Sequence, residues 1–306
     1  MGIDKLVGNT PLIELERLSP LGRRVFGKAE YLNPGGSVKD RIGFFMIEKA
    51  MERGDLKEGQ TVVEPTAGNT GIALALACSF YKLKMIAVMP GRFSQEKEKI
   101  IVALGGQVIR TSTKEGIEGA IEKAHILAKD LNGWVPLQFS NPDNAKAHFE
   151  TTGPEIYSQL KDIDVFVGGV GSAGTFVGVS RYLKKNNKNI KCVAVQPEGS
   201  VLLGGNPGPH KVEGIGVDDM ETIKLWEKDL PDEIVTVSDF DAHSLTQRLA
   251  SEEGLLVGAS SGALVHASLE IAKKSPEGSK VVTLLCDSSE RYISKNIYSH
   301  FEDWEK

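Results

Sequence analysis

No run of about 18 uninterrupted apolar residues occurs in the 306-residue chain, so no membrane-spanning helix is expected. The N-terminus carries Asp4 and Glu14 and lacks the apolar run of a secretion signal, and the expected setting is cytoplasmic. Basic residues are not in excess. Lys and Arg number 36 against 41 Asp and Glu, a net charge of −5, so no global positive field recommends nucleic acid as a partner. The lysines of Lys184-Lys185-Asn186-Asn187-Lys188 read as a solvated helix C-terminus. Only three cysteines are present, Cys78, Cys192 and Cys286, far apart and without Cys-x-x-Cys spacing. Buried thiols fit them better than disulfides or metal ligands, and no metal site is expected. There is no internal repeat.

Ordinary globular content remains, 41% hydrophobic and 25% charged, and the length suffices for two subdomains with a substantial core. Short β-branched runs alternate with longer helical patterns. Strands are expected at 61–64, 85–89, 107–110, 134–139, 164–167, 190–195, 234–237, 255–257 and 281–286. Helices are expected near 72–81, 95–104, 115–131 and 175–185. Continuous apolar strands separated by helices indicate parallel sheet covered on both faces. The expected fold is α/β, two lobes with the active site between them.

The 33 glycines gather at the ends of apolar runs, and four clusters carry chemistry. The first is Asn33-Pro34-Gly35-Gly36-Ser37-Val38-Lys39-Asp40-Arg41, turn residues running into a helical pattern. Lys39 is expected in the first turn of that helix. A desolvated amine against a helix N-terminus is neutral near pH 7 and serves as nucleophile or base. A solvated Lys39 paired with Asp40 or Glu30 is the alternative.

The second cluster, Thr66-Ala67-Gly68-Asn69-Thr70-Gly71, joins a strand to a helix. It reads either as an anion site for a substrate carboxylate or as a helix capped by Asn or Thr. The third, Gly168-Gly169-Val170-Gly171-Ser172-Ala173-Gly174-Thr175, suits a phosphate held by backbone N–H groups and two hydroxyls. It also spells Gly-x-Gly-x-x-Gly, with Glu198 at the spacing a dinucleotide site wants. The fourth, Gly258-Ala259-Ser260-Ser261-Gly262, could be a serine N-cap. His210, in Gly208-Pro209-His210, reads as a structural group more readily than as a base.

The first cluster resembles the lysine segment of the cysteine synthase and cystathionine β-synthase family, pyridoxal-phosphate enzymes of the tryptophan-synthase-β fold type (fold type II). Leu6-Val7-Gly8-Asn9-Thr10-Pro11-Leu12 resembles the family's usual start, and the similarity extends to about Arg291. The resemblance implies that Lys39 holds pyridoxal 5'-phosphate as a Schiff base and is the catalytic residue. It implies that Gly171, Ser172, Ala173, Gly174 and Thr175 cradle the phosphate and that Asn69 bonds the ring hydroxyl. Ser260 would meet the pyridine nitrogen, where a neutral hydroxyl leaves the ring a weaker electron sink. Thr66, Ala67, Gly68, Asn69, Thr70 and Gln138 would bind the substrate carboxylate. Ala67 departs from the family's usual serine.

A smaller lobe at 36–143, inserted into a larger lobe of 1–35 and 144–306, is also implied. So are a homodimer and, less directly, a serine acetyltransferase partner. The implied activity is β-replacement on O-acetylserine by sulfide, giving cysteine, or by homocysteine, giving cystathionine. The alternative consumes cysteine and releases hydrogen sulfide, with water or a second thiol as acceptor. Residues 217–232 depart from the family, and Asp218, Asp219 or Asp232 is the carboxylate such an acceptor would use; Asp232 is the one singled out.

Overall fold

The computed structural model describes residues 2–66, 68–90, 95–112 and 115–304. Ala67 therefore lies outside the described residues. Strands β1 (Leu12–Glu14) and β2 (Arg24–Ala29) form an antiparallel pair ahead of helix α1 (Lys39–Arg53). There follow β3 (Thr61–Pro65), α2 (Asn69–Phe80), β4 (Lys84–Pro90), α3 (Gln95–Ala103), β5 (Gln107–Thr111) and α4 (Gly116–Asp130). Helices α5 (Pro142–Glu150) and α6 (Thr152–Gln159) lead to β6 (Val165–Gly169), α7 (Gly174–Asn186) and β7 (Lys191–Pro197). The chain closes with β8 (Glu233–Val237), α8 (Asp239–Glu253), α9 (Ala259–Lys274) and β9 (Lys280–Leu285).

Two sheets result. One has the order β3-β4-β5 and is wholly parallel; the other runs β1-β2-β9-β6-β7-β8 and is parallel except at β1. The central strands are buried along nearly their whole length, which is why they read as unbroken apolar runs. Each sheet has its own core. Phe166, Val193 and Val282 belong to the larger one, and Val62, Ile72, Met85 and Ile101 to one on the three-stranded side. Helix α5 packs against both α1 and α7 and so joins the two halves. No helix among the described residues is long and apolar enough to cross a membrane.

Two expected strands are absent. Trp134 makes a single bridge with Val62, and the chain then leaves the ladder because Leu137 takes a left-handed conformation (φ +54°). The Glu64 carboxylate captures the N–H groups of Leu137 and Gln138 at 2.9 and 3.2 Å in place of a strand partner. Residues 255–257 also form only one bridge, Val257 to Ser288, before α9 begins. Helix α2 starts at Asn69 rather than near Ile72, which brings Asn69 and Thr70 into its first turn.

Candidate active site

In parallel sheets the loops beyond the strands' carboxyl ends share one edge, and a cleft opens there between the two sheets. Its volume is about 920 Å³, and the loops after β3, β6, β7 and β9 line it, together with the starts of α1 and α9. Lys39, Thr66, Gly68, Asn69, Thr70, Gln138, Gly171, Ser172, Ala173, Thr175 and Ser260 all reach it.

Lys39 is the first residue of α1 and is half-buried. The alternative of an ion-paired surface lysine is not what the structure holds. Asp40 accepts from the Gly35 N–H instead, and Glu30 is taken by Arg41 at 2.7 Å. The Lys39 amine makes no hydrogen bond or ion pair among the described residues. Desolvation lowers its pKa from the ordinary lysine value, against the opposing pull of Cys286 and Asp287.

At the start of α2 the cap is Gly68, and no side chain caps the helix. The Thr66 hydroxyl accepts from the Gly68 N–H at 3.2 Å, and that of Thr70 donates to Gln138 Oε1 at 2.7 Å. Gln138 is thereby left with its amide N–H groups to offer. A loop with free backbone N–H groups, plus such an amide, suits a carboxylate.

Helix α7 opens on Ala173, in the left-handed region at φ +67°, followed by Gly174. A Cβ on Gly174 would overlap the Asn144 amide, and one on Gly171 would lie 2.9 Å from the Gly214 carbonyl oxygen. Backbone therefore approaches backbone closely here, the geometry of an anion cradle at a helix N-terminus. Asn144 Nδ2 donates to the Ser172 hydroxyl at 3.0 Å, and Thr175 Oγ1 sits 3.1 Å from His148 Nε2. Burial, with Arg41 and Lys39 nearby, holds His148 well below the usual imidazole pKa, so it is neutral. Ser260 is buried in the first turn of α9, whose cap is Gly258, so the serine-cap reading of that cluster does not hold. Glu198 is exposed and outside the cleft.

A phosphate cradle, an unpaired amine and a neutral hydroxyl facing one cleft match the parts of pyridoxal phosphate: its phosphate, its aldehyde and its ring nitrogen. The residues present fit the group.

Two expectations need correction. Cys78 and Cys192 are buried, but Cys286 directly follows β9, where the chain opens to the cleft, and is only partly buried there. Burial pushes its thiol up to about 12, so it is not ionised at neutral pH. Asp232 does not reach the cleft. It precedes β8 at the amino edge of the sheet, where it accepts from the Cys192 N–H and from Lys184 Nζ, both at 2.7 Å. Asp218 and Asp219 do line the mouth.

Glu64 was not marked by sequence as a site residue. It lies buried in the cleft wall without a cation partner among the described residues, and desolvation raises its carboxyl to about 8. A charge inside the apolar run Thr61-Val62-Val63-Glu64 was the available signal. Across the mouth, Glu213 is shared by Lys97 and Lys295, with Lys97 Nζ 4.4 Å above the Tyr292 ring. At the floor, Asn69 Nδ2 donates to Asp287 Oδ2 at 2.6 Å, and Arg291 Nη1 donates to Asn69 Oδ1 at 2.7 Å.

Relatives with the same architecture exist. The cysteine synthase of Helicobacter pylori (strain J99) is 48% identical over 299 residues, 96% of this chain and 97% of that one. The O-acetylserine dependent cystathionine beta-synthase of Bacillus subtilis (strain 168) is 47% identical over 300 residues, 97% of each. The crystal structure of the O-acetylserine dependent cystathionine beta-synthase from Helicobacter pylori superposes with a TM-score of 0.92 at 45% identity, covering 97% of this chain and 98% of that one. Residues 3–287 match the family described as "Pyridoxal-phosphate dependent enzyme". With the lysine, the cradle and the hydroxyl gathered on one cleft, the chain belongs to that family, as a fold type II enzyme.

Proposed function

We propose that this enzyme performs β-replacement on O-acetylserine, expelling acetate and joining a sulfur nucleophile to the β-carbon. Sulfide as acceptor gives cysteine, and homocysteine gives cystathionine. The observation that carries the reading is the convergence of Lys39, the Thr66–Gln138 carboxylate site, the Gly171–Thr175 cradle and Ser260 on one cleft. Pyridoxal phosphate, when bound, supplies the electron sink that lets a β-substituent leave an amino acid.

The chain's own groups do the rest. The Lys39 amine, held towards its neutral form, takes the α-proton of the donor. Thr66, Gly68, Asn69, Thr70 and Gln138 orient the donor carboxylate, and Ala67 belongs to the same loop by sequence. Gly171, Ser172, Ala173, Gly174 and Thr175 would hold the cofactor phosphate, and Ser260 would meet its ring nitrogen. Because Ser260 carries no charge, prompt expulsion of acetate is favoured over chemistry that needs a long-lived carbanion.

The name of the Bacillus subtilis relative supports O-acetylserine as donor, and the two relatives' names together leave both acceptors as arms of the test. The lobe division at 36–143 belongs to the same proposal. It is supported by β3, β4 and β5 falling inside that span while the strands of the larger sheet fall outside it. The homodimer rests on the resemblance and the cytoplasmic setting on the character of the N-terminal residues, and light scattering of the purified enzyme tests the first.

The deciding experiment is a product assay on holoenzyme. O-acetylserine, serine and cysteine are each offered with sulfide, homocysteine or water, and products are read by mass spectrometry. Cysteine or cystathionine from O-acetylserine is the expected result. Sulfide released from cysteine, without product from O-acetylserine, would overturn the proposal in favour of a degradative enzyme.

A further inference from the structure

Asn69 is half-buried and faces the cleft from the first turn of α2. An asparagine amide can lie either way round, and turning it over exchanges a carbonyl acceptor for two N–H donors. Here the choice is fixed by neighbours of unambiguous polarity. Asp287, 1% exposed, offers a carboxylate oxygen 2.6 Å from Asn69 Nδ2. Arg291, 5% exposed, has only N–H groups to offer and donates to Asn69 Oδ1 at 2.7 Å. The carbonyl end must face the guanidinium and the NH2 end the carboxylate. With one N–H committed to Asp287, the other is what Asn69 presents to the cleft.

Both neighbours are themselves anchored. The Tyr292 hydroxyl donates to the same Asp287 oxygen, and burial with the nearby Asp287 charge raises that phenol well above 10, so it stays a donor. Arg291 Nη2 donates to the Gly35 carbonyl at 2.8 Å, in the loop that leads to Lys39. A Cβ on Gly36 would overlap that guanidinium, and Gly36 has a φ of +77°. The start of α2, the lysine loop and the end of β9 are thus locked together through one amide.

We infer that Asp287 and Arg291 are positioning residues that fix Asn69 as a hydrogen-bond donor to the ring oxygen of pyridoxal phosphate, holding that oxygen in its anionic form. The inference rests on the reading that Asn69 contacts the cofactor. It adds the reason that Asn69 turns an amide N–H towards the cofactor there.

The test is a mutant cycle read by cofactor affinity and by the absorption maximum of the bound cofactor. Apoenzyme variants are titrated with pyridoxal phosphate. Asp287→Asn, which replaces the carboxylate by a neutral amide, is expected to weaken binding about tenfold and to move the absorption maximum, since a charge-assisted bond is lost. Asn69→Ala is expected to do the same. The double variant Asn69→Ala/Asp287→Asn is expected to bind no more weakly than Asn69→Ala alone, because Asp287 acts through Asn69. Additive losses would overturn the inference, as would an unchanged Asp287→Asn beside a weakened Asn69→Ala. A silent Asn69→Ala would overturn the cofactor role of Asn69 itself and the inference with it. Should Asp287→Asn fail to fold, Asp287→Glu keeps the charge, displaces the carboxylate by one methylene and carries the same cycle.

Discussion

Arg41 grips Glu155 with two parallel hydrogen bonds, Nη1 to Oε1 at 2.8 Å and Nη2 to Oε2 at 2.7 Å. Arg41 lies two residues past Lys39 on α1, and Glu155 lies on α6, beside the larger sheet. Glu30 and Lys28 complete the network, Lys28 Nζ lying 2.7 Å from Glu155. The Lys39 amine is therefore carried by a helix that is bolted to the larger half of the protein, not only to its own.

Removing one partner leaves the others as uncompensated buried charge, so Arg41→Met should destabilise the protein by about 3–5 kcal/mol. Chemical denaturation checks this. The Arg41 contact holds the Glu155 carboxyl down at about 2, against a burial effect of the opposite sign. A depressed folded-state pKa gives stability that is present above the ordinary 4.5 and lost as pH falls towards 2. Glu155→Gln should remove that acid limb from the profile.

Lys39→Ala should lower turnover by about 10²–10⁴-fold or more, because both a covalent anchor and a base are lost. The protein should keep its fold and still bind pyridoxal phosphate through the cradle, but without the absorption band of a cofactor linked to lysine. A retained band of unchanged intensity would assign the linkage to a different residue.

Glu64 titrates in the opposite sense to Glu155. With its carboxyl raised to about 8, the folded chain keeps a proton that the unfolded chain releases near 4.5. Its contribution to stability is complete below 4.5 and is lost as pH rises through about 8. Glu64→Gln should flatten that decline. It should also raise the KM for the donor amino acid several-fold with little change in kcat, since Glu64 holds the backbone of Gln138. Stability and steady-state kinetics between pH 5 and 9 would show both effects.

Asp232→Asn should leave kcat/KM unchanged with every acceptor. The carboxylate is at the far edge of the sheet, and its loss should cost about 1 kcal/mol of stability through the Cys192 and Lys184 contacts. A loss of activity with one acceptor only would place Asp232 in acceptor handling after all.

The strands and Lys39 were legible because each obeys a local rule: unbroken apolar runs for doubly covered strands, turn residues ahead of a helix start. Glycine clusters marked the loops at the carboxyl edge for the same reason. Asp232 misled because nearness in sequence to the 217–221 segment says nothing about which end of a strand a residue occupies. The stretch 134–139 misled because its apolar content fits a strand, while a carboxylate 73 residues from Leu137 decides its backbone. Asp287 and Arg291 stood in plain view just beyond β9, yet their joint hold on Asn69 spans 218 residues of sequence between Asn69 and Asp287. No local pattern encodes such a pairing.

The Lys97–Glu213 pair crosses the mouth of the cleft, one partner on α3 and the other in the loop after β7. Its lysine side chain is 3% exposed. Drawing α3 away from the loop after β7 at this point would part these charges and hydrate them. While the pair is closed, dissolved ions barely reach it, and once parted each charge gathers its own counterions. Parting this pair would therefore be easier at high salt than at low.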